Sequence, residues 1–190
     1  IELSGVVQQC GENVKGFLPG DRVVGFSEEA GAFCQFCSIK YTAASKVIQE
    51  ISLSDAAAYF VQATTAYHLL NTIGQIQEND IALIHAIGGG VGLNLTQLAK
   101  LKGAKVIGTV GTPGKEQRPL ECGADLVIDR TKKDFVTEIE HFFGKQPLTL
   151  LIDSTGAEIL DMSFQLMRNL GHVVSYGEAS GKPYQNLWEL

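Results

Sequence analysis

An apolar run that ends in a cluster of glycines constrains the fold of this chain more than any other feature. The run covers residues 81–87, and Gly88, Gly89, Gly90 and Gly92 follow it before a pattern of helix-forming residues. Glycines permit a tight turn and let backbone N–H groups approach a pyrophosphate, while the following helix adds the positive end of its dipole. The stretch predicts a strand, a phosphate-binding turn and a helix, in that order.

The glycine motif departs from the strict G-x-G-x-x-G pattern. That pattern, ending on Gly92, would need glycine at position 87, where the chain has Ile87; the looser series Ala86, Gly89 and Gly92 fits. A glycine-rich strand end alone is also compatible with a plain turn or an S-adenosylmethionine site. The strand before it and the helix after it favour a dinucleotide.

Strands and helices alternate after residue 50. The predicted strands are 81–86, 105–110, 126–129, 148–153 and 172–176, and the predicted helices are 91–102, 115–122, 133–143 and 157–169. Two further helical patterns precede them, one capped by Ser54 and one at 64–72. This alternation predicts an α/β fold with a Rossmann-type parallel sheet and helices on both faces.

Residues 1–50 are different, because short β-favouring runs at 3–8, 22–26 and 32–39 are separated by Gly, Pro and Asp. The sequence therefore predicts two domains, an all-β domain over 1–50 and a nucleotide-binding domain over 51–190. Cys34 and Cys37 have C-x-x-C spacing within the third run. A strand there would point the two thiols to opposite faces, which favours reduced structural cysteines over a zinc or redox pair.

The turn after the second strand of the alternating region favours NADP over NAD. An acid at this turn would bind the ribose hydroxyls and repel a 2′-phosphate, but residues 109–115 contain none. Gly111 leaves space there, Lys115 lies at the next helix start, and Arg130 follows the third strand. These two cations are candidate partners of the phosphate.

Composition excludes several other classes of protein. The net charge is −6, and the 15 Lys and Arg residues are scattered, so nucleic acid is not expected as a main partner. The chain contains no apolar run near the roughly 20 residues that span a bilayer and no signal-peptide pattern, so a cytoplasmic protein is expected.

No catalytic residue can be named from the sequence. Tyr67 and Tyr176 are conceivable proton donors, although aromatic residues at such positions more often serve packing or stacking. His85 ends a buried strand and is interpreted as a hydrogen-bonded core histidine rather than a base.

Ordered landmarks along the whole chain resemble the quinone oxidoreductase (zeta-crystallin-like) group of the zinc-independent medium-chain dehydrogenase/reductases. They are Gly16 with residues 19–23, then 31–33, 55–57, Gln62 with 65–67, 85–86 with 89–92, 108–112 with Lys115, 123–125, 153–154 with Gly156, and 175–177. The resemblance implies a Rossmann NADPH-binding domain preceded by part of a GroES-like β-barrel. Since its two ends resemble internal positions of the family, the chain is expected to be an internal segment.

The resemblance also implies roles for individual residues. The pyrophosphate would lie against Gly88, Gly89, Gly90 and Val91, the 2′-phosphate against Gly111 and Lys115, and the nicotinamide half near Thr65, Ser154, Tyr176 and Gly177. Three positions depart from the family pattern: Arg130 stands where tyrosine is common, Glu178 where asparagine is common, and Ala63 where glycine is expected. The guanidinium of Arg130 would be a stronger phosphate clamp than a tyrosine.

The activity implied by the resemblance is hydride transfer from NADPH to a quinone or another α,β-unsaturated carbonyl, without zinc. The full-length protein would be a homodimer. An NADPH-binding, crystallin-like protein that does not turn substrate over is the alternative.

Overall fold

The two parts of the chain build their sheets in different ways. The computed structural model describes residues 1–181, and the chain divides into two units, Ile1–Thr64 and a second unit that begins at Thr65. The first unit holds an antiparallel sheet of order β1-β2-β3. Its elements are β1 Glu2–Val6, β2 Arg22–Phe26, a 3₁₀ turn at Tyr41–Ala43, β3 Ala44–Lys46 and helix α1 Leu53–Ala57.

Helix α1 belongs to the first unit, so the division falls later than the boundary predicted near residue 50. The hydroxyl of Ser4 donates a hydrogen bond to the carbonyl of Leu53, and a Glu2 carboxylate oxygen accepts one from the Val61 N–H at 2.9 Å. These bonds attach residues beyond 50 to β1. The cap of α1 is Ser52 rather than the predicted Ser54, because the Ser52 hydroxyl accepts from the Asp55 N–H at 3.0 Å.

The strand predicted at 32–39 is wrong, since these residues form bends and irregular backbone. Cys34 and Cys37 are both exposed with free thiols. Loss of hydration raises the pKa of the Cys37 thiol, and the neighbouring Cys34 raises it further. Because the strand is absent, the argument that placed the two thiols on opposite faces fails.

The second unit contains a five-stranded, wholly parallel sheet of order β6-β5-β4-β7-β8, which confirms the predicted α/β fold. The strands are β4 Ile81–His85, β5 Lys105–Val110, β6 Leu126–Asp129, β7 Leu148–Asp153 and β8 Met167–Ser175. The helices are α2 Phe60–Tyr67, which crosses the division, a π-helical segment His68–Ile73, α3 Gly90–Leu101, α4 Gln117–Glu121, α5 Phe135–Phe143 and α6 Ala157–Phe164.

Each face of the parallel sheet has its own hydrophobic core. Leu83 and Ile107 pack with residues of α5 and α6, whereas Ile84 and Ile152 pack with residues of α3 and the π-helical segment. Neighbouring residues point to opposite faces of a strand, so a sheet covered on both sides needs continuous apolar runs. The prediction of helices on both faces is confirmed.

The helix predicted over 157–169 ends at Phe164, and its last predicted residues belong to β8. Leu166 is fully buried, its carbonyl accepts from the Leu148 N–H at 3.1 Å, and Met167 pairs with Leu148. Sheet pairing therefore overrides the helical pattern. Residues 182–190, assigned by sequence to the second domain, lie outside the described residues. Among the described helices none is both long and apolar enough to span a bilayer.

Candidate dinucleotide site

The order in which successive strands are added to the parallel sheet reverses at β4. Strands β5 and β6 lie on one side of β4, and β7 and β8 lie on the other. In open parallel sheets, ligands bind outside the carboxyl ends of the strands at such a switch point. The carboxyl end of β4 is His85, and the glycine cluster begins three residues later at Gly88, so fold and motif indicate the same place.

Ile87, the residue that breaks the strict glycine motif, holds the loop in place. Its side chain is fully buried. A Cβ on Gly92 would lie 2.5 Å from the Ile87 carbonyl oxygen, and a Cβ on Gly108 would lie 2.2 Å from the Ile87 Cδ1. Glycine is needed at 92 and 108 because Ile87 occupies the space between α3 and β5. Sequence reasoning missed this role of Ile87.

The glycine loop leads directly into α3, so its backbone N–H groups lie at the start of this helix. Ala86 adopts a left-handed φ of 53°, and its carbonyl accepts from the Gly89 N–H at 3.0 Å. Gly89 precedes α3, and no described side chain caps this helix end. The first N–H groups of a helix have no intrahelical acceptor, so those at Gly90 and Val91 are suited to bind a phosphate.

Two cations lie beside glycines next to this loop. A Cβ on Gly88 would lie 3.2 Å from both the Cβ and the carbonyl oxygen of Lys115, and a Cβ on Gly111 would lie 3.0 Å from Nη2 of Arg130. Lys115 is exposed and Arg130 is half-buried. The structure thus places Lys115 beside the loop that follows β4 and Arg130 beside the turn that follows β5.

Arg130 carries an unsatisfied polar atom. Its Nε is buried and has no hydrogen-bond partner among the described residues. Burial lowers the pKa of the guanidinium, while the carboxylate of Asp153 raises it, and an arginine remains charged under either influence. An unpaired buried donor costs roughly 1–3 kcal/mol. An anionic ligand that reaches this guanidinium would remove that cost, so the residues present fit a phosphate.

Two acids, Asp129 at the end of β6 and Asp153 at the end of β7, already interact with local partners. Lys132 lies 2.8 Å from Asp129, and this contact, with a hydrogen bond from Thr131, lowers the pKa of Asp129 to about 2. Asp153 accepts from the N–H groups of Thr155 at 2.9 Å and Gly156 at 2.8 Å. Both carboxylates thus have local partners, and Asp129 Oδ2 meets Lys132 as an ion pair without a hydrogen bond.

A second group of predicted residues meets at the ends of β7 and β8. A Cβ on Gly177 would lie 3.2 Å from the Ser154 carbonyl oxygen, and the Tyr176 N–H donates to the Asp153 carbonyl at 2.9 Å. Burial raises the pKa of the Tyr176 phenol, and its hydrogen bond with Ser154 opposes that shift. Tyr176 therefore keeps its proton at neutral pH. Thr65 lies on α2, half-buried, next to the fully buried Ala66.

The prediction that His85 is a hydrogen-bonded core residue is confirmed. Its Nδ1 lies 2.7 Å from the Thr109 hydroxyl and its Nε2 lies 2.8 Å from the Ser163 hydroxyl. Burial, followed by the positive charge of Arg130, lowers the pKa of His85 to about 3. The imidazole is neutral at physiological pH. The sequence carried no signal for these partners, because Thr109 and Ser163 are distant along the chain.

Comparison with known proteins now places the chain in a family. Residues 90–187 match the family model described as zinc-binding dehydrogenase. The chain belongs to this family. Although the description names zinc, residues 1–181 contain no group of three or more His, Cys, Asp or Glu side chains placed to hold a metal ion.

The relatives of this zinc-binding dehydrogenase family member include reductases. Quinone oxidoreductase 1 of Escherichia coli is 37% identical over 180 residues, which is 95% of this chain and 55% of that protein. The 2-haloacrylate reductase of Burkholderia sp is 31% identical over 182 residues, which is 95% of this chain and 55% of that protein. The crystal structure of E. coli quinone oxidoreductase complexed with NADPH superposes with a TM-score of 0.90 at 36% identity, covering 97% of this chain and 56% of that one. The chain thus spans about half the length of these relatives.

Proposed function

We propose that the protein uses NADPH to reduce a quinone or another α,β-unsaturated carbonyl, and that it does so without zinc. Its relatives include quinone oxidoreductases and a haloacrylate reductase, and one of them was crystallised with NADPH. When bound, the cofactor supplies a hydride from its nicotinamide ring to an electron-poor acceptor.

The observation that carries the proposal is the pair of cations beside two glycines. Arg130 and Lys115 provide two positive charges for a 2′-phosphate, and Gly111 and Gly88 leave the room that side chains would fill. The guanidinium offers paired donors to phosphate oxygens, and the ammonium acts as a point charge. Residues 109–115 hold no acid that would select NADH.

The remaining predicted residues bind and orient the other parts of the cofactor. Gly89, Gly90 and Val91 present the start of α3 to the pyrophosphate. Ser154, Tyr176 and Gly177, together with Thr65, are proposed to hold the nicotinamide half. Fixing the ring beside the acceptor lowers the entropic part of the barrier, and this is the main contribution asked of the protein. The acceptor proton comes from solvent or a nearby hydroxyl.

Three further expectations accompany this proposal. The first unit is proposed to be part of a GroES-like catalytic domain, and the second a Rossmann NADPH-binding domain. The whole protein is proposed to be a cytoplasmic homodimer. Its acidic net charge of −6 argues against nucleic acid as a main partner.

Cofactor choice is tested with Lys115→Ala in the longest natural form of the protein, by titrating NADPH and NADH against cofactor fluorescence. Loss of one phosphate contact should weaken NADPH binding about tenfold and leave NADH binding unchanged. Lys102→Ala is the matched control, because it removes a positive charge at the opposite end of α3. An unchanged preference in Lys115→Ala would contradict the role given to Lys115.

Turnover is tested by following NADPH consumption with a panel of quinones and enones. Reduction of any of them supports the proposed reaction. Tight NADPH binding without turnover across the panel would instead establish the non-catalytic, crystallin-like alternative. Treatment with a strong zinc chelator should leave the rate unchanged, and loss of activity that added zinc restores would overturn the zinc-independent mechanism.

A further inference from the structure

The fully buried side chains of His85, Thr109 and Ser163 form a chain of hydrogen bonds beneath the candidate site. Each has 0% exposure, so water does not compete for their polar atoms. The imidazole lies between the two hydroxyls, at 2.7 Å from Thr109 and 2.8 Å from Ser163. The chain joins three elements, because His85 ends β4, Thr109 lies near the end of β5, and Ser163 lies on α6.

The donor and acceptor of each hydrogen bond in this series follow from the Ser163 hydroxyl. The Ser163 hydroxyl lies 2.6 Å from the carbonyl oxygen of Ile159, which can only accept, so the hydroxyl donates its single proton there. Ser163 must then accept from Nε2–H of His85. In a neutral imidazole the other nitrogen carries a lone pair, so Nδ1 accepts from the Thr109 hydroxyl. The packing selects one tautomer.

Thr109 is attached to the glycine loop at two points. Its hydroxyl donates to His85, and its carbonyl accepts from the Ile87 N–H at 3.1 Å. These two contacts flank Ala86, the loop residue with a left-handed φ. Gly111 follows Thr109 by two residues. The link between His85 and Thr109 therefore connects the pyrophosphate loop to the turn that faces Arg130.

We propose that His85 is a positioning residue that sets the preference for NADPH over NADH by fixing, through Thr109, the separation between the glycine loop and the Gly111 turn. The inference rests on the proposed function. NADPH has to reach the pyrophosphate loop and the 2′-phosphate cations at the same time, whereas NADH binds the loop alone. A looser separation therefore weakens NADPH binding more than NADH binding.

Thr109→Val tests the link, because it removes the hydroxyl and preserves the shape of the side chain. The dissociation constant for NADPH should rise about fivefold, the equivalent of one neutral hydrogen bond, and that for NADH less than about twofold. Thr149→Val is the matched control. Its hydroxyl accepts from the Ile81 N–H at 3.0 Å and donates to the Ile81 carbonyl at 3.2 Å, joining β7 to β4 at the amino end of the sheet. Both variants should lower the unfolding midpoint, but Thr149→Val should leave cofactor preference unchanged.

Substitution of His85 itself separates positioning from simple packing. His85→Asn keeps an acceptor near the place of Nδ1 and should retain most of the preference, whereas His85→Leu removes the acceptor and should lose it. The imidazole nitrogen-15 shifts of the wild-type protein should show the Nε2–H tautomer at neutral pH. A Nδ1–H tautomer would overturn the inference, even if every variant failed to fold.

The outcomes distinguish the inference from the function on which it rests. A wild-type protein that binds neither cofactor would remove the proposed function. A wild-type protein that prefers NADPH, with the same preference in Thr109→Val, would overturn the role of His85 and leave the proposed function standing. Equal losses of preference in Thr109→Val and Thr149→Val would show a general effect of stability and would also overturn it.

Discussion

The two units of this chain use similar residues but bury them to different degrees. In the parallel sheet, Leu83 and Leu151 are fully buried with helices on both faces. In the first unit Val23 and Val24 are buried in a small antiparallel sheet, whereas Phe33, in the irregular segment between β2 and β3, is exposed. A sheet covered on both faces excludes water from the space around its strands. The hydrogen-bond chain of His85, Thr109 and Ser163 lies in this covered part of the molecule.

The largest expected effect is the pH dependence of stability that the buried His85 gives to the second unit. The pKa of His85 is about 3 in the folded state against an ordinary 6.5, so between these values the unfolded chain binds the extra proton. The stabilising contribution is complete above pH 6.5 and is lost as pH falls towards 3. Since one pKa unit is worth about 1.4 kcal/mol, the loss is on the order of 5 kcal/mol. Urea unfolding at several pH values measures it.

In His85→Gln this part of the pH dependence should disappear. His141→Gln is the matched control, because that ring is exposed on α5. If the slope of unfolding free energy against pH between 4 and 6.5 is the same in His85→Gln and wild type, then the burial of a neutral His85 is not the cause of this pH dependence.

The next largest effect is expected when one glycine of each unit is replaced by alanine. In Gly108→Ala the new Cβ would lie 2.2 Å from Ile87 Cδ1, so the loop residue must move, at a cost of about 1–3 kcal/mol of unfolding free energy. Gly5→Ala, in β1, meets no atom within 4 Å and should change stability by less than about 0.5 kcal/mol. Calorimetry of both variants measures the difference, and equal effects would contradict the tight packing assigned to Ile87.

Helix caps provide a smaller and more local comparison. Ser52 caps α1 in the first unit, and Asp134 caps α5 in the second by accepting from the N–H groups of Val136 and Thr137. Replacing either cap by alanine should cost about 1 kcal/mol. If the units unfold separately, Ser52→Ala should shift one thermal transition and Asp134→Ala the other. A single transition shifted equally by both variants would show that the units unfold together.

The smallest effect is expected at Phe33. Phe33 is fully exposed, so Phe33→Ser removes no buried apolar area in this chain. The unfolding free energy should change by less than about 0.5 kcal/mol. A loss of 2 kcal/mol or more in urea unfolding would show that Phe33 is buried in solution, and the contrast between the two units would then narrow.

Continuous apolar runs made the strands of the second unit largely predictable. The strands at 105–110, 126–129 and 148–153 have the predicted bounds, because continuous apolar runs between turn residues are typical of covered parallel strands. The end of α6 was not predictable. Residues 165–169 continue a helical pattern, but pairing with Leu148 places Met167 in β8. A local pattern does not contain the pairing partner.

The structure of the first unit was less predictable from its sequence. The strand predicted at 32–39 does not form, although its residues favour β structure. A strand needs a hydrogen-bonding neighbour, and β-propensity says nothing about whether one is present. The predicted relation between Cys34 and Cys37 depended on that strand and failed with it.

The sequence by itself determined the alternating fold, the glycine loop at its first strand and the two cations near the second and third strands. These features follow from local residue types, which set turns, apolar periodicity and charge. Tertiary structure alone decided that Ile87 fills the space made by Gly92 and Gly108, and that His85 joins Thr109 to Ser163. These contacts link residues up to 78 positions apart, so only the closing of the sheet brings them together.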